Sequence, residues 1–186
     1  MRQYITLVEA KSQYTPDLEI IKPNYQPYSL APAMSTATFN LHWGKLAHGY
    51  AERFNKGEGD KTFNYAGAWL HNCFFPQFRA PRTKNDPNGP VGNLIKQKFK
   101  TFESFKDEVE KVAMAIQGSG WVYLARSGEI KVIPNHQVRP DILLLIDWWE
   151  HSWILDYGSD KNKYLNNIWK IIDWNVINTR WGQAYK

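Results

Sequence analysis

Asp147 stands directly after five apolar residues, Ile142-Leu143-Leu144-Leu145-Ile146, and four positions before His151. An apolar run of that length reads as a buried strand, which delivers the carboxylate into the interior. An ionised carboxylate there is costly unless a cation or a set of donors meets it. With an imidazole four residues on, the pair suits an ion of the manganese, iron or zinc type. The plainer alternative is an Asp that caps the following helix, with His151 at the surface beyond it. The chain has five histidines, at 42, 48, 71, 136 and 151. His42 and His71 both lie in apolar stretches with helical spacing. Neutral imidazoles with one carboxylate suit iron or manganese, and zinc less specifically. His48, six residues after His42, falls off its face and reads as a solvated residue.

The elements that must position these groups are legible in outline. A helix is expected after Pro32, with Ser35 as N-cap and Phe39, Trp43, Leu46 and Tyr50 on one face. His42 lies at the edge of that face, and Tyr50 follows it by just over two turns. The stretch from Phe54 to Asp60 reads as a turn. A second helix, about Phe63 to Phe75, is apolar nearly all round and therefore buried, with His71 inside it. The two make an antiparallel hairpin. From Pro76 to Asn93 the chain is rich in Pro, Gly, Asn and Arg and reads as a linker. A further helix is expected from Leu94 or Thr101 to Ile116, with Ser104 and Asp107 spaced like a capping box. Trp121–Ala125, Ile130–Ile133 and Ile142–Asp147 read as three short strands. One closing helix is expected over Tyr164–Trp181. The fold class is thus α+β, a helical hairpin followed by an α+β lobe with a three-stranded antiparallel sheet. The divisions are an N-terminal extension over 1–24, the hairpin over 25–78, a linker over 79–93 and the lobe over 94–186.

Composition narrows the classes. With 186 residues, 43% hydrophobic and nine Trp, the chain is globular. No apolar run approaches the roughly 18 residues that span a bilayer, so no membrane role is expected. The first ten residues lack the apolar core of a secretory signal. The single Cys73 rules out an intrachain disulfide and disfavours a thiolate metal site. Together these point to the cytosol. A net charge of +5 favours anions, but the basic residues are scattered among 18 acidic ones, so nucleic acid is not expected as a partner.

Several motifs, in order, resemble the iron/manganese superoxide dismutases. They are Pro27-Tyr28 with Leu30-Ala31-Pro32 and Met34-Ser35, then Thr38-Phe39-Asn40-Leu41-His42-Trp43-Gly44-Lys45. Phe63-Asn64-Tyr65-Ala66-Gly67-Ala68-Trp69-Leu70-His71 follows, one residue shorter than its counterpart. Gly118-Ser119-Gly120-Trp121-Val122-Tyr123-Leu124 and Asp147-Trp148-Trp149-Glu150-His151 complete the set. Tyr164-Leu165 and Trp169–Trp174 fit the closing helix of that family, so the resemblance runs from about Pro27 to Ile177.

The resemblance implies one iron or manganese ion per chain, with His42, His71, Asp147 and His151 as ligands and a solvent molecule as the fifth. It implies disproportionation of superoxide to O₂ and H₂O₂ at a centre that alternates between trivalent and divalent states. Tyr50 matches the tyrosine at the mouth of the substrate funnel, and Trp121 and Trp149 match its aromatic walls. His136 falls where a donor to the coordinated solvent is expected; the second-helix position for such a donor is Ala68 or deleted. Lys45 and Lys161 are cations that would attract the anion, Lys161 where the family usually has Arg. Glu150 matches the residue that bridges to the last ligand, His151, of the other subunit of a homodimer.

There are departures. Phe75 holds a wall position usually occupied by Trp, and the hairpin between Tyr50 and Phe63 is short. Leu46 and Ile154 replace a His and a Tyr that meet across the dimer interface in the family. An alternative reading is a protein of this fold kept as a binding or structural subunit, since folds outlive their chemistry. A two-His-one-carboxylate oxygenase needs three ligands with open positions, and the fourth ligand disfavours it.

Overall fold

The computed structural model describes residues 17–183. Nothing in the first sixteen residues of the expected extension falls within that range. Ser35 caps the first helix as expected, its Oγ accepting from the Thr38 N–H at 3.1 Å. The helix is unbroken to Lys56 but changes pitch on the way: α1 (Thr36–Leu41), a π-helical stretch (His42–Ala47), then α2 (His48–Lys56). It therefore extends into the stretch read as a turn, and Gly57, left-handed at φ 69°, ends it. Asp60 caps α3 (Lys61–Phe74), which completes the antiparallel hairpin and buries Ala66, Gly67, Ala68, Leu70, His71 and Phe74.

Two expected helices are each divided. The one expected before the sheet is α4 (Gly89–Phe99) and α5 (Phe102–Met114), separated by Lys100 at φ 71°. The cap is Thr101, whose Oγ1 accepts from the Ser104 N–H at 3.0 Å, so Ser104 is the capped residue rather than the cap. Helix α4 begins inside the stretch read as linker. That stretch is anchored as well, because buried Asn85 donates to the Trp169 and Ile172 carbonyls, each at 2.8 Å. After α6 (Ile154–Tyr157), the expected closing helix is α7 (Lys161–Ile168) and α8 (Trp174–Gly182). The chain opens out between them because residues 170–173 pair with 77–82: Arg79 N–H donates to Ile171 O and Asp173 N–H to Gln77 O. Asp173 then restarts the helix as its cap.

The sheet is antiparallel in the order β2 (Ile130–Pro134), β1 (Gly120–Ala125), β3 (Ile142–Asp147). Strands β1 and β3 are buried along their whole length. Strand β3 lies at the sheet edge, where unpaired N–H and C=O groups need covering. The Gln77 carboxamide supplies that cover. Its Nε2 donates to Leu145 O at 2.5 Å, and its Oε1 accepts from Leu145 N–H at 3.2 Å. Arg180 of α8 donates to Leu143 O at 2.8 Å and to Gln77 Oε1 at 3.1 Å. The end of the hairpin is thereby fastened to the strand that carries Asp147. Among the described residues no helix is long and apolar enough to cross a membrane.

Candidate metal centre

Three elements deliver the four expected ligands to one point. His42 opens the π-helical stretch, His71 lies in the last turns of α3, and Asp147 ends β3 with His151 one turn beyond. One ligand atom from each lies within 4.8 Å of those of the others. His42 Nε2 is 3.0 Å from Asp147 Oδ2, His151 Nε2 is 3.5 Å and His71 Nε2 is 4.0 Å from the same oxygen. His42, His71 and Asp147 are fully buried.

The capping reading of Asp147 does not hold, because the next helical turn has Trp149 at its N-cap with no side-chain cap, and His151 turns inward to the same centre. Oδ1 accepts from the Trp149 N–H at 2.8 Å and fixes the turn after the strand, while Oδ2 faces the histidines. Burial pushes the Asp147 carboxyl up, but side-chain hydrogen bonds from His151 and His42 lead the interactions that outweigh it and hold it well below the usual carboxylate range. Burial lowers His42 to about 4 and takes His71 well below its ordinary value, so both are neutral. His71 Nδ1 is 2.6 Å from Gly67 O, a bond only a protonated Nδ1 can make. Its Nε2 therefore carries a lone pair, and it points at His42 Nε2 at 3.1 Å. Lone pairs and a carboxylate oxygen brought this close repel one another unless a cation or proton sits among them. This donor set fits a single iron, manganese or zinc ion.

The π-helical stretch explains why Tyr50 reaches the centre. In a plain α-helix, eight residues at about 100° each would leave Tyr50 about 80° off the His42 face. A π-turn takes up one extra residue, which cuts the offset to about 20°. Tyr50 is buried, with its ring 5.5 Å from that of His71 and 4.8 Å from that of His136. Burial first, and the Asp147 charge second, push its hydroxyl up to about 12, so it stays protonated near neutrality.

His136 is buried at 5% exposure rather than a loop residue in water. It stacks on Trp149 at 4.5 Å, and burial lowers it to about 4. Its Nδ1 accepts from Trp121 Nε1 at 3.2 Å, which leaves the proton on Nε2, and that buried atom has no partner among the described residues. Trp121 lies beside Asp147 in the sheet register and meets the His71 ring edge-on at 5.2 Å. Phe75 is fully buried with its ring 4.9 Å from that of His42.

The remaining candidates lie further out. Lys45 is exposed, and the Lys161 ammonium sits over the rings of Trp153 and Trp148 at 4.9 and 5.5 Å. Glu150 is exposed, and its carboxylate has no partner among the described residues. His48 differs from expectation: it is half-buried, edge-on to Trp43 at 4.7 Å.

Two residues near the centre escaped the sequence reading. Phe63 lies 4.6 Å from the His136 ring. Gly67 faces Tyr50 across the hairpin, since a Cβ there would come within 2.8 Å of the Tyr50 ring. A glycine inside a buried helix costs about 1 kcal/mol against Ala, and that cost was the available sign of a close approach.

The fold is a helical hairpin followed by an α+β unit, and it carries a buried His/Asp cluster able to bind a metal ion. Residues 87–180 match the family model described as iron/manganese superoxide dismutases, C-terminal domain. A Bacteroides fragilis protein named superoxide dismutase (Fe) is 33% identical, over 87% of this chain and 98% of its own. One from Porphyromonas gingivalis named superoxide dismutase (Mn/Fe) is 34% identical, over 88% and 98%. The Fe-named protein of Pyrobaculum aerophilum is 29% identical, over 86% and 90%. The chain belongs to the iron/manganese superoxide dismutase family.

Proposed function

We propose that this chain is an active superoxide dismutase, converting two superoxide anions and two protons to O₂ and H₂O₂ at one iron or manganese ion held by His42, His71, Asp147 and His151. The observation that carries this reading is the convergence of three imidazole nitrogens on Asp147 Oδ2, in a buried site where a carboxylate and facing lone pairs call for a cation. The ion, when bound, supplies a one-electron couple between trivalent and divalent states.

The protein's own groups do the rest. His136 presents an Nε2–H with no acceptor of its own and serves as the donor to solvent at the centre. Tyr50 keeps its proton near neutrality and holds it beside His71 and His136 for delivery to product. Trp121, Trp149 and Phe75 wall the site and limit water. Lys45 and Lys161 attract the anion, and the two rings beneath Lys161 hold its ammonium in place.

The reading takes residues 25–78 and 94–186 as two units that build the site between them, and it keeps the cytoplasmic location. It includes a homodimer through Glu150 and His151. Support for that comes from the unpartnered Glu150 carboxylate and from Ile154 and Leu155, 38% and 56% exposed beside it. Leu46 and Ile154 would then pack as an apolar pair in place of the family's polar one. Replacing both members of a polar pair avoids stranding either.

The test is metal content and superoxide consumption of protein purified without added metal. The wild type should hold close to one iron or manganese ion per chain and consume superoxide. Asp147→Ala should retain no stoichiometric metal and lose activity while keeping its helical content. His136→Ala should keep its metal and lose about 10- to 100-fold in turnover, as groups behind a ligand shell typically do. Full metal in Asp147→Ala would sink the ligand assignment.

A further inference from the structure

The segment before Tyr25 is not held by a neighbouring strand. Leu18 N–H donates to Asn55 Oδ1 at 2.9 Å, and Asn55 Nδ2 donates back to Leu18 O at 3.0 Å. The pattern repeats three residues later. Ile21 N–H donates to Asn72 Oδ1 at 2.7 Å, and Asn72 Nδ2 donates to Glu19 O at 2.8 Å. Trp43 Nε1 donates to Ile21 O at 3.2 Å, and Tyr25 OH to Phe75 O at 2.9 Å. Ile20 is buried in the core, and Tyr25 packs edge-on to Phe39 at 6.1 Å.

The placement of these anchors is informative. All lie on the hairpin or at its end, and two of them, Trp43 and Asn72, are the residues immediately after His42 and His71. Phe75, the Tyr25 anchor, has its ring against that of His42. Ile21 is thus tied to both ligand helices at once, through the residue that follows each ligand. His42 has particular need of this. His71 is oriented by its Nδ1 bond to Gly67 O, whereas the buried His42 Nδ1 has no partner among the described residues. The His42 ring is therefore aimed by packing and by the backbone that carries it.

We propose that residues 18–25 are a tether that fixes His42 and His71 relative to one another and slows loss of the bound ion, with Trp43 and Asn72 as positioning residues of the centre. The proposal rests on the metal reading given above. A buried ion leaves only when its ligands part, and two of the four sit on helices that the tether spans. A site loosened by a fraction of an ångström loses affinity even with every ligand present.

The experiment uses the full-length metal-loaded protein and follows transfer of iron or manganese to an excess of chelator, alongside the visible absorption band. Trp43→Phe removes the indole N–H and keeps a ring; Asn72→Ala removes both bonds of the second clip. The double variant should release its ion about 10-fold faster or more, the range seen when groups behind metal ligands are removed, and its band should shift. Asn72→Asp, which keeps the acceptor for Ile21 N–H and loses the donor, should fall between; it decides the matter if the double variant does not fold. Asn55→Ala breaks the clip farther from the ligands and should release at close to the wild-type rate. Release at the wild-type rate in both Asn72 variants, or equal acceleration by Asn55→Ala, overturns the tether while leaving the metal reading intact. A wild type that holds no ion overturns both.

Discussion

Two stretches of backbone in this molecule are held by side-chain amides where a strand might have been. Gln77 pairs with both backbone groups of Leu145 at the edge of β3, and Asn55 and Asn72 do the same for Leu18, Ile21 and Glu19 in the N-terminal segment. The chemistry is alike, but the surroundings are opposite. Gln77 and Leu145 are fully buried, whereas the Asn clips lie where water reaches them. A hydrogen bond contributes modestly when water can replace it; a buried group left without a partner bears its full desolvation cost. The buried clip is therefore a requirement of the fold. The exposed clips are adjustable fastenings, suited to tuning the site rather than building it.

That contrast can be broken or sharpened by substitution. The largest effect is expected for Gln77→Leu, which strands the N–H and C=O of Leu145 and removes one of the Arg180 acceptors. At roughly 1–3 kcal/mol for each of the two stranded groups, denaturant unfolding should show a loss of about 2–6 kcal/mol. A loss below about 1 kcal/mol would mean that the edge of β3 finds water, and the contrast would fail.

Tyr25→Phe belongs in the middle. It removes a half-buried donor from Phe75 O, but that carbonyl also accepts from the Phe78 N–H at 3.3 Å. A loss of about 1 kcal/mol is expected, within the usual range for one hydrogen bond. Asn55→Ala should be smallest, under about 0.5–1 kcal/mol, because water takes over both bonds. If it matches Gln77→Leu in the same titration, exposure is not what separates the two kinds of clip.

Much of the site was legible because it is written in short-range patterns. The apolar run into Asp147, the four-residue step to His151, the cap at Ser35 and the apolar helix around His71 each follow from residues within a turn or two of each other. The same holds for three strands, each a short apolar stretch bounded by local turns. Motif order then supplied the pairing of distant histidines, which no single stretch contains.

What local pattern could not supply depends on partners far along the chain. The closing helix breaks at Ile171–Asp173 because residues 77–82 pair with it, a contact across some ninety positions that helical spacing does not register. Asn85 looked like part of a linker until its amide met Trp169 and Ile172. Gly67 took its meaning from Tyr50 on the other helix, and Tyr50 itself reaches the centre only through the π-helical stretch at His42–Ala47.

By itself, then, the sequence determined which donors exist, which elements carry them and in what order, because those are properties of residue type and near spacing. Tertiary structure decided where those elements stop, which oxygen of Asp147 faces the histidines and what holds His42 in place. Each of those choices is made by a hydrogen bond or a van der Waals contact between groups that only folding brings together.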